Sequence, residues 1–368
     1  MPVSRRDFLK RGGATLIAAG AAAGGAVWLY DRTGKAGLGQ PAAETLPNYF
    51  AGVDYPVSAA RISVARGVGT DFETIDRMVR AAVGGLGGGP GLSRFIDRGD
   101  VVLVKPNVGF ERAPRFGATT DPQVVRSVIR LCNEAGASRV IVADNPIESA
   151  ASCFARSGIA EAVEREGARV MIPARVHFTP LAIRPAGAGG EPYQPDPAKY
   201  EALGTWPVFW APLREADKVI GVPAVKDHNL CHASMGMKNW YGLLGGRRNQ
   251  FHQAIHNIVS DLGFMMSPTL MIADGVRVMM RNGPTGGSLA DVKAGHTIVA
   301  SVDQLACDAW CYQNLLERDP AALRYLDLAQ GKYGETESGP RSYARARRFG
   351  TRDWKAYRNR GLIVEANV

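Results

Sequence analysis

The sequence predicts an α/β fold built on a mostly parallel, Rossmann-like sheet with helices on both faces. It is expected to form a single large domain or two tightly packed subdomains. Three observations predict this class: aliphatic strand patterns alternate with helical patterns, several strand patterns end in polar residues, and 43 glycines supply many turns. A hydrophobic share of 46% is enough for a sizeable core.

The clearest unit is a strand, a helix and a second strand. The segment DVVLVKPN at 100–107 is an aliphatic run that stops at Pro106. The segment TTDP at 119–122 offers a hydroxyl or carboxylate cap followed by proline, so a helix is expected to start there and to end at Gly136. The segment RVIVADN at 139–145 is the next strand. Two strands joined by a crossover helix imply a parallel sheet.

The same patterns predict further elements along the chain. Residues 180–212 are rich in proline and glycine and are expected to form a surface excursion. The other expected elements are helices at 71–83 and 150–166 and strands at 60–66, 168–172, 217–223, 270–275 and 295–303.

The first thirty residues resemble an export signal. SRRDFLK at 4–10 precedes a Gly/Ala-rich apolar stretch at 12–30, as in a twin-arginine signal. This predicts export by the twin-arginine translocase to the periplasm, with the uncleaved signal as a possible inner-membrane anchor. The expected organisation is 1–30 signal or anchor, 31–58 tether, 59–312 α/β domain and 313–368 C-terminal basic extension.

Charge and cysteine content limit the partners and cofactors. The net charge is +9, with many basic residues between 341 and 360. This run is expected to be a solvated helix face or a contact with a membrane surface or protein partner; an exported protein is not expected to bind nucleic acid. The five cysteines have neither CxxC nor ferredoxin spacing, so no iron–sulfur cluster is expected.

A dense group of basic and histidine residues follows the strand at 217–223. KDHNLCHASMGMKN occupies 226–239 and GGRRNQFHQAIH occupies 245–256. Lysine and arginine donors near glycine-rich backbone suit carboxylate or phosphate groups, although solvated loop charges are the alternative. Since parallel strands deliver their carboxyl ends to one edge, polar residues after other strands are expected to join them. The predicted binding residues are Lys105, Asn107, Asp144, Lys226, Asn239, Arg247, Arg248 and Asp274.

Histidines in this group are candidates for proton transfer or metal binding. His228 and His232, like His252 and His256, are four residues apart and could bind a metal from a helix; structural histidines are the alternative. His228 and His252 are the favoured pair for catalysis, and also for a metal, with Lys238 as a third catalytic candidate. HExxH and GxSxG motifs are missing from the sequence, so a zinc protease or serine hydrolase has no support.

Four aspartates could support this group. Asp144, Asp274, Asp303 and Asp308 are expected to hold the lysines and histidines in place, or to act as a base or metal ligand. A turn is the alternative for Asp274, and a helix N-cap is the favoured role of Asp303.

These segments, in this order, resemble the family called domain of unknown function 362. The resemblance is carried by VVLVKPN, TTDPQVVRSVI, GASRVIVADN, VIGVPAVKDH, MGMKNWYGLLGG, FHQAIH, LMIADG and SVDQLACDAW, over roughly 60–312. Many members of that family carry ferredoxin-type cysteine motifs, which this sequence lacks.

A looser similarity is to the lactate racemase family, which holds a nickel-pincer nucleotide. That resemblance implies Lys238, ten residues after His228, as the cofactor-attaching lysine, and His252 as a metal ligand or proton carrier. The sequence departs from that family where Asp227 stands in place of proline and where the Gly-Gly pair follows the lysine.

The function expected from these observations is that of an exported α/β protein that binds a small anionic metabolite or a nucleotide-like cofactor. An enzyme with isomerase- or redox-type proton-transfer chemistry is the first hypothesis. The alternative is a non-catalytic accessory or ligand-binding subunit of a periplasmic redox complex. The cofactor stays open between a metal and a nucleotide-like group.

Overall fold

The computed structural model describes residues 46–87, 91–183, 205–333, 335–336, 339–340 and 350–368. The expected signal and most of the expected tether lie outside these ranges, as do residues 341–349 of the basic run. Within these ranges, every helix is too short or too polar to cross a lipid bilayer.

The strands and helices alternate over most of the chain. The strands are β1 (Ile62–Arg66), β2 (Val101–Pro106), β3 (Arg139–Ala143), β4 (Arg169–Met171), β5 (Phe178–Ala182), β6 (Thr205–Phe209), β7 (Lys218–Val222), β8 (Ala224–His228), β9 (His232–Ser234), β10 (Leu270–Met279), β11 (Val292–Ser301), β12 (Glu335–Thr336), β13 (Gly339–Pro340) and β14 (Ile363–Asn367). The helices are α1 (Phe72–Gly84), α2 (Pro122–Glu134), α3 (Ala150–Arg156), α4 (Ile159–Arg165), α5 (Trp210–Glu215), α6 (Gly236–Asn239), α7 (Ile255–Met265), α8 (Gln304–Asn314), α9 (Arg324–Tyr333) and α10 (Trp354–Asn359).

Ten of these strands form one mixed, mostly parallel sheet. Its order is β14-β1-β11-β10-β7-β2-β3-β4, and β8 adds to β10 and pairs with β9. The pairings of β11 with β1 and β10, and of β8 with β9, are antiparallel, whereas the others are parallel. The predicted sheet type is therefore confirmed.

Helices cover both faces of the sheet, as predicted. One core contains the buried faces of α1 to α4, including Val79 and Val125. The other contains residues of α5 to α10, including Leu213, Trp310 and Trp354. The start of α2 is the predicted one: the Asp121 carboxylate accepts a hydrogen bond from the backbone N–H of Gln123 at 2.9 Å.

The strand order reverses direction between β2 and β7. β3 and β4 extend the sheet on one side of β2, while β7 and β10 extend it on the other. The connections leave these two neighbouring strands in opposite directions, so a crevice opens at their carboxyl ends. Pro106 and Val222 are register partners at that end.

Three internal elements differ from the sequence expectation. The helix expected at 150–166 is two helices separated at Gly158, which has a φ of 74°. The excursion expected at 180–212 includes strand β6, which pairs with β5 and buries Trp206. The strand expected to end at Gly275 continues to Met279 and stays paired with β11 across a β-bulge between Gly275 and Arg277, where the Asp274 carboxylate accepts the N–H of Val276.

Both described ends of the chain belong to the same domain. Residues 46–58 were expected to be tether, yet Tyr49 is buried and donates its hydroxyl hydrogen to the carbonyl of Leu213 at 2.9 Å. Residues 350–368 were expected within a basic extension, yet β14 pairs with β1 and Tyr357 is buried. Arg352 and Arg358 form ion pairs with Asp327 and Glu365 of the same chain.

A candidate anion-binding site at the switch point

A cavity of about 70 Å³ lies at the crevice between β2 and β7, and we call it the lysine pocket. All predicted site residues line it except Arg247 and Asp274. Those brought together are Lys105, Asn107, Asp144, Lys226, His228, Lys238, Asn239, Arg248 and His252. The expected gathering of strand-end residues at one edge therefore takes place.

Lys105, near the end of β2, is the fully hydrogen-bonded cation of the pocket. Its ammonium forms an ion pair with Asp144 at 2.7 Å and donates to the Pro106 carbonyl at 2.8 Å and to Asn239 Oδ1 at 3.0 Å. Burial lowers the pKa of Lys105, and the charge of Asp144 opposes that effect. All three hydrogens of this ammonium are used within the protein, so Lys105 forms part of the framework of the pocket.

Lys226 reaches the pocket from β8 without an ion-pair partner among the described residues. Its ammonium donates to Asn107 Oδ1 at 3.0 Å and to the Ala118 carbonyl. Burial, with the positive charge of Lys238 as the next cause, lowers the pKa of Lys226 to about 7. These two hydrogen bonds leave one N–H of the ammonium without an acceptor among the described residues.

Lys238 comes from the short helix α6 and is half-buried. Its ammonium lies 4.6 Å from the ring centroid of Tyr241. In the part of the chain that the structure describes, it has no hydrogen-bond acceptor and no ion-pair partner. Burial lowers the pKa of Lys238, and Arg248 acts in the same direction.

Helix α6 is held at both ends. The Asp308 carboxylate accepts the backbone N–H groups of Gly236 and Met237 at 2.7 and 3.0 Å. At the other end, the side-chain amide of Asn239 donates to the Lys105 carbonyl at 2.9 Å. Asp308 thus holds the element that carries Lys238, as the sequence suggested for this aspartate.

The two histidines in the pocket have complementary hydrogen bonds. His228 Nδ1 accepts the N–H groups of Leu230 and Cys231 at 3.2 and 3.4 Å, so its proton lies on Nε2. Burial and the nearby lysines lower the pKa of His228 to about 2 and keep it neutral. His252 Nδ1 lies 2.8 Å from the Asn249 carbonyl and must donate to it, which leaves Nε2 of a neutral ring as an acceptor. The pocket therefore holds one imidazole donor and one imidazole acceptor.

The i, i+4 histidine pairs proposed from the sequence do not act as helical pairs. His228 and His232 face each other across the β8–β9 hairpin, and the His232 ring lies 5.7 Å from the ring of His256. Within the described ranges, no three His, Cys, Asp or Glu residues form a group that could hold a metal ion. The predicted metal role of His228 and His252 gains no support from this geometry.

Arg248 is a structural residue of the pocket wall. Its guanidinium donates to four backbone carbonyls, those of Tyr241, Leu244, Asn145 and Pro146, at 2.7 to 3.2 Å. A side chain with its donors used in this way stabilises the loop and contributes positive charge.

Arg247 and Asp274 are the two predicted site residues that the fold does not bring to the pocket. Arg247 is exposed, since the turn directs its neighbour Arg248 inward. The Asp274 carboxylate accepts the backbone N–H of Asp121 at 2.7 Å and so supports the start of α2. Burial, followed by the charge of Asp121, raises the pKa of Asp274 to about 7.

Sequence reasoning missed two residues that shape the pocket. A Cβ atom at Gly242 would lie 1.9 Å from Asp144 Oδ1 and 2.8 Å from Lys105 Nζ, so only glycine fits there. Thr120 donates its hydroxyl hydrogen to the Val222 carbonyl and accepts the N–H of Asn107, which ties β2 to β7. The glycine of the segment NWYGLLGG is the sequence feature that could have indicated Gly242. For Thr120 the sequence suggested only a helix cap.

The charge of the lysine pocket favours an anion. Lys105, Lys226, Lys238 and Arg248 surround it, whereas Asp144 is the carboxylate among its described lining residues. Charge-assisted hydrogen bonds from such donors are stronger than neutral ones.

Comparison with known proteins shows which family the chain belongs to. The chain is 28% identical over 252 residues to a thylakoid-associated protein of Synechocystis sp., an alignment that covers 66% of this chain and 71% of the relative. It also matches a crystal structure of a Thermotoga maritima protein at 11% identity with a TM-score of 0.37, covering 73% of this chain and 61% of that protein's length. The family model for domain of unknown function 362 matches residues 102–313, more than half of the 368 residues. The chain therefore belongs to the DUF362 family.

Proposed function

We propose that the lysine pocket binds a small anionic metabolite through a carboxylate or phosphate group. The observation that carries this proposal is the excess of cations over carboxylates around the cavity. Lys226 and Lys238 retain donors that no described residue uses, and a buried cation without a counter-ion is costly unless a ligand supplies one. A cavity of about 70 Å³ suits an anion of a few heavy atoms.

The chemistry that the pocket supports is proton transfer on the bound anion. His252 Nε2 is an acceptor that can take a proton, and His228 Nε2–H is a donor that can stabilise a developing negative charge. These roles fit an isomerase- or redox-type enzyme. Because His228 stays neutral, the proton carrier of this pair is His252.

The nickel nucleotide of the lactate racemase resemblance does not fit the lysine pocket. Two imidazoles face the cavity, but the carboxylate beside them, Asp144, is paired with Lys105, and the described residues include no group of three His, Cys, Asp or Glu that could hold a metal ion. A nucleotide-sized group needs about 300 Å³ or more. The adjoining groove of about 610 Å³ has that volume but lacks the lysines.

Sulfate binding tests the proposal directly. We expect one sulfate per chain by isothermal titration calorimetry, and a loss of about 10- to 100-fold in affinity for Lys238→Met, as expected for a charge-assisted hydrogen bond. Lys293→Met is the matched control, since Lys293 is an exposed lysine paired with Glu317 away from the pocket. Equal affinity in both variants, or no binding by the natural chain, would refute the proposal.

We propose further that the chain is exported to the periplasm by the twin-arginine translocase. SRRDFLK and the apolar stretch after it support this route. Replacing both Arg5 and Arg6 by lysine is expected to retain the protein in the cytoplasm of its producing cell, as seen by fractionation. Unchanged periplasmic recovery of that variant would exclude this route.

A further inference from the structure

Lys238 differs from the other cations of the lysine pocket in having a free amine. Lys105 is used by Asp144, Pro106 and Asn239, and Lys226 is held by Asn107 and Ala118. Among the described residues, nothing accepts a hydrogen bond from Lys238, and its ammonium lies 4.6 Å from the centroid of the Tyr241 ring.

We propose that Lys238 is a nucleophile that forms an imine with the carbonyl carbon of a small 2-oxo acid. The carboxylate of that acid binds at Lys226 and His228, so the inference rests on the proposed anion site and names its substrate class. A 2-oxo acid such as pyruvate has a carboxylate and a carbonyl on adjacent carbons. Such a molecule is of the size that the cavity admits.

The surroundings of Lys238 make its ammonium easier to deprotonate, so that the neutral, nucleophilic amine becomes accessible from the charged form. A lysine becomes nucleophilic when it is desolvated or lies beside other cations. Both conditions hold, because the side chain is half-buried and shares the pocket with Lys226 and Arg248. The lowered pKa of Lys238 agrees with this geometry.

Groups in the pocket can accept and return the protons that imine formation requires. The amine lone pair forms a C–N bond with the carbonyl carbon, and the C=O π pair moves to oxygen, which takes a proton. The nitrogen then loses its protons as the oxygen leaves as water. His252 Nε2 can accept a proton from nitrogen and return it to the leaving oxygen, so no external oxidant or reductant is needed.

Reductive trapping tests this inference. The full chain is incubated with pyruvate and sodium cyanoborohydride, which reduces an imine to a stable amine. We expect one adduct per chain, with the mass of pyruvate less one oxygen atom, and peptide mapping should place it on Lys238. Excess sulfate should suppress it by occupying the anion site.

Two variants serve as the controls for this experiment. Lys238→Arg keeps the charge but removes the nucleophile, and it should slow adduct formation at least about tenfold. Lys293→Arg should form the adduct at the rate of the natural chain. Peptide mapping of the natural chain identifies the residue even if Lys238→Arg fails to fold.

The outcomes separate this inference from the proposed function. Sulfate binding without an adduct, or an adduct on Lys226, would overturn the imine and leave the anion site standing. Adducts spread over surface lysines, without sulfate binding, would overturn both. A saturable adduct on Lys238 that sulfate suppresses supports both.

Discussion

Lys226 links ligand binding to pH. It is buried, it has no carboxylate partner among the described residues, and its pKa is about 7. A bound anion favours the charged ammonium and therefore raises this pKa. Well above pH 7, Lys226 of the ligand-free protein is largely deprotonated, so anion binding is accompanied by the uptake of a proton.

We predict that sulfate affinity is constant below about pH 6 and falls up to about tenfold per pH unit above 7. Calorimetry in two buffers of different ionisation enthalpy at pH 8 should show the uptake of about one proton. Lys226→Met should bind more weakly and take up no proton. Equal uptake by the variant would assign the titration to another group.

The hydrogen bonds of the two pocket histidines predict opposite tautomers. Nitrogen NMR of the labelled protein should show His228 protonated on Nε2, with no titration between about pH 5 and 8. His252 should carry its proton on Nδ1 when neutral, and it serves as the internal comparison. A His228 signal that titrates near pH 6.5, its ordinary value, would contradict the donor role.

At the scale of elements, the short helix α6 depends on contacts from distant parts of the chain. Asp308 of α8 fixes its start, and Asn239 joins its end to the backbone of β2. The turn that follows brings Gly242 against the Lys105–Asp144 ion pair. The position of Lys238 is therefore set by residues far away in sequence.

We predict that Gly242→Ala lowers the free energy of unfolding by about 1–3 kcal/mol, because the added methyl group displaces the ion pair. Sulfate affinity should fall as well. Gly84→Ala is the matched control: a Cβ there meets nothing within 4 Å, and the change should stabilise by about 0.4–1 kcal/mol. Chemical denaturation measures both, and equal effects would show that Gly242 has room for a side chain.

The sequence predicted elements better than it predicted their ends. Strand β2 and helix α2 were identified because their signals are local: an aliphatic run, a capping aspartate and a proline. The strand β10 was expected to end at Gly275, since Asp-Gly is typical of a turn, but it continues to Met279. The Asp274 carboxylate accepts N–H groups from Asp121 and Val276, contacts that become visible only once the strands are paired.

For the whole molecule, the C-terminal residues complete the main sheet. Trp354 is buried and donates its indole N–H to Gln313 at 3.0 Å, and β14 pairs with β1. A separable basic extension would contribute nothing to the stability of the α/β domain. The described contacts instead predict that these C-terminal residues stabilise the α/β domain.

We predict that Trp354→Ala lowers the free energy of unfolding of the domain by about 3–5 kcal/mol. Lys355→Ala, at the exposed neighbouring position, should change it little. The readout is the denaturant midpoint. An unchanged midpoint for Trp354→Ala would favour the domain boundary expected at 312.

The sequence predicted which residues come together at the site but not what each of them does there. Lys105, Asp144 and Lys226 follow or end strands, so the rule for parallel sheets places them together. Asn239 accepts a hydrogen bond from Lys105, and Asn107 and the Ala118 carbonyl accept hydrogen bonds from Lys226. These contacts decide which lysine keeps an unused donor, and they are visible only in the folded structure. The i, i+4 spacing of the histidines was misleading because β8 and β9 form a hairpin there.

The lysine pocket lies within the segment that the family model matches. The matched segment, 102–313, contains every described residue that lines the pocket, whereas β1 and β14 lie outside it, at the margin farthest from β4. Among the described residues, neither of these two strands contributes a residue to the lining of the pocket. We therefore expect other chains that share only this segment to form the same pocket, whatever the number of strands in their sheet.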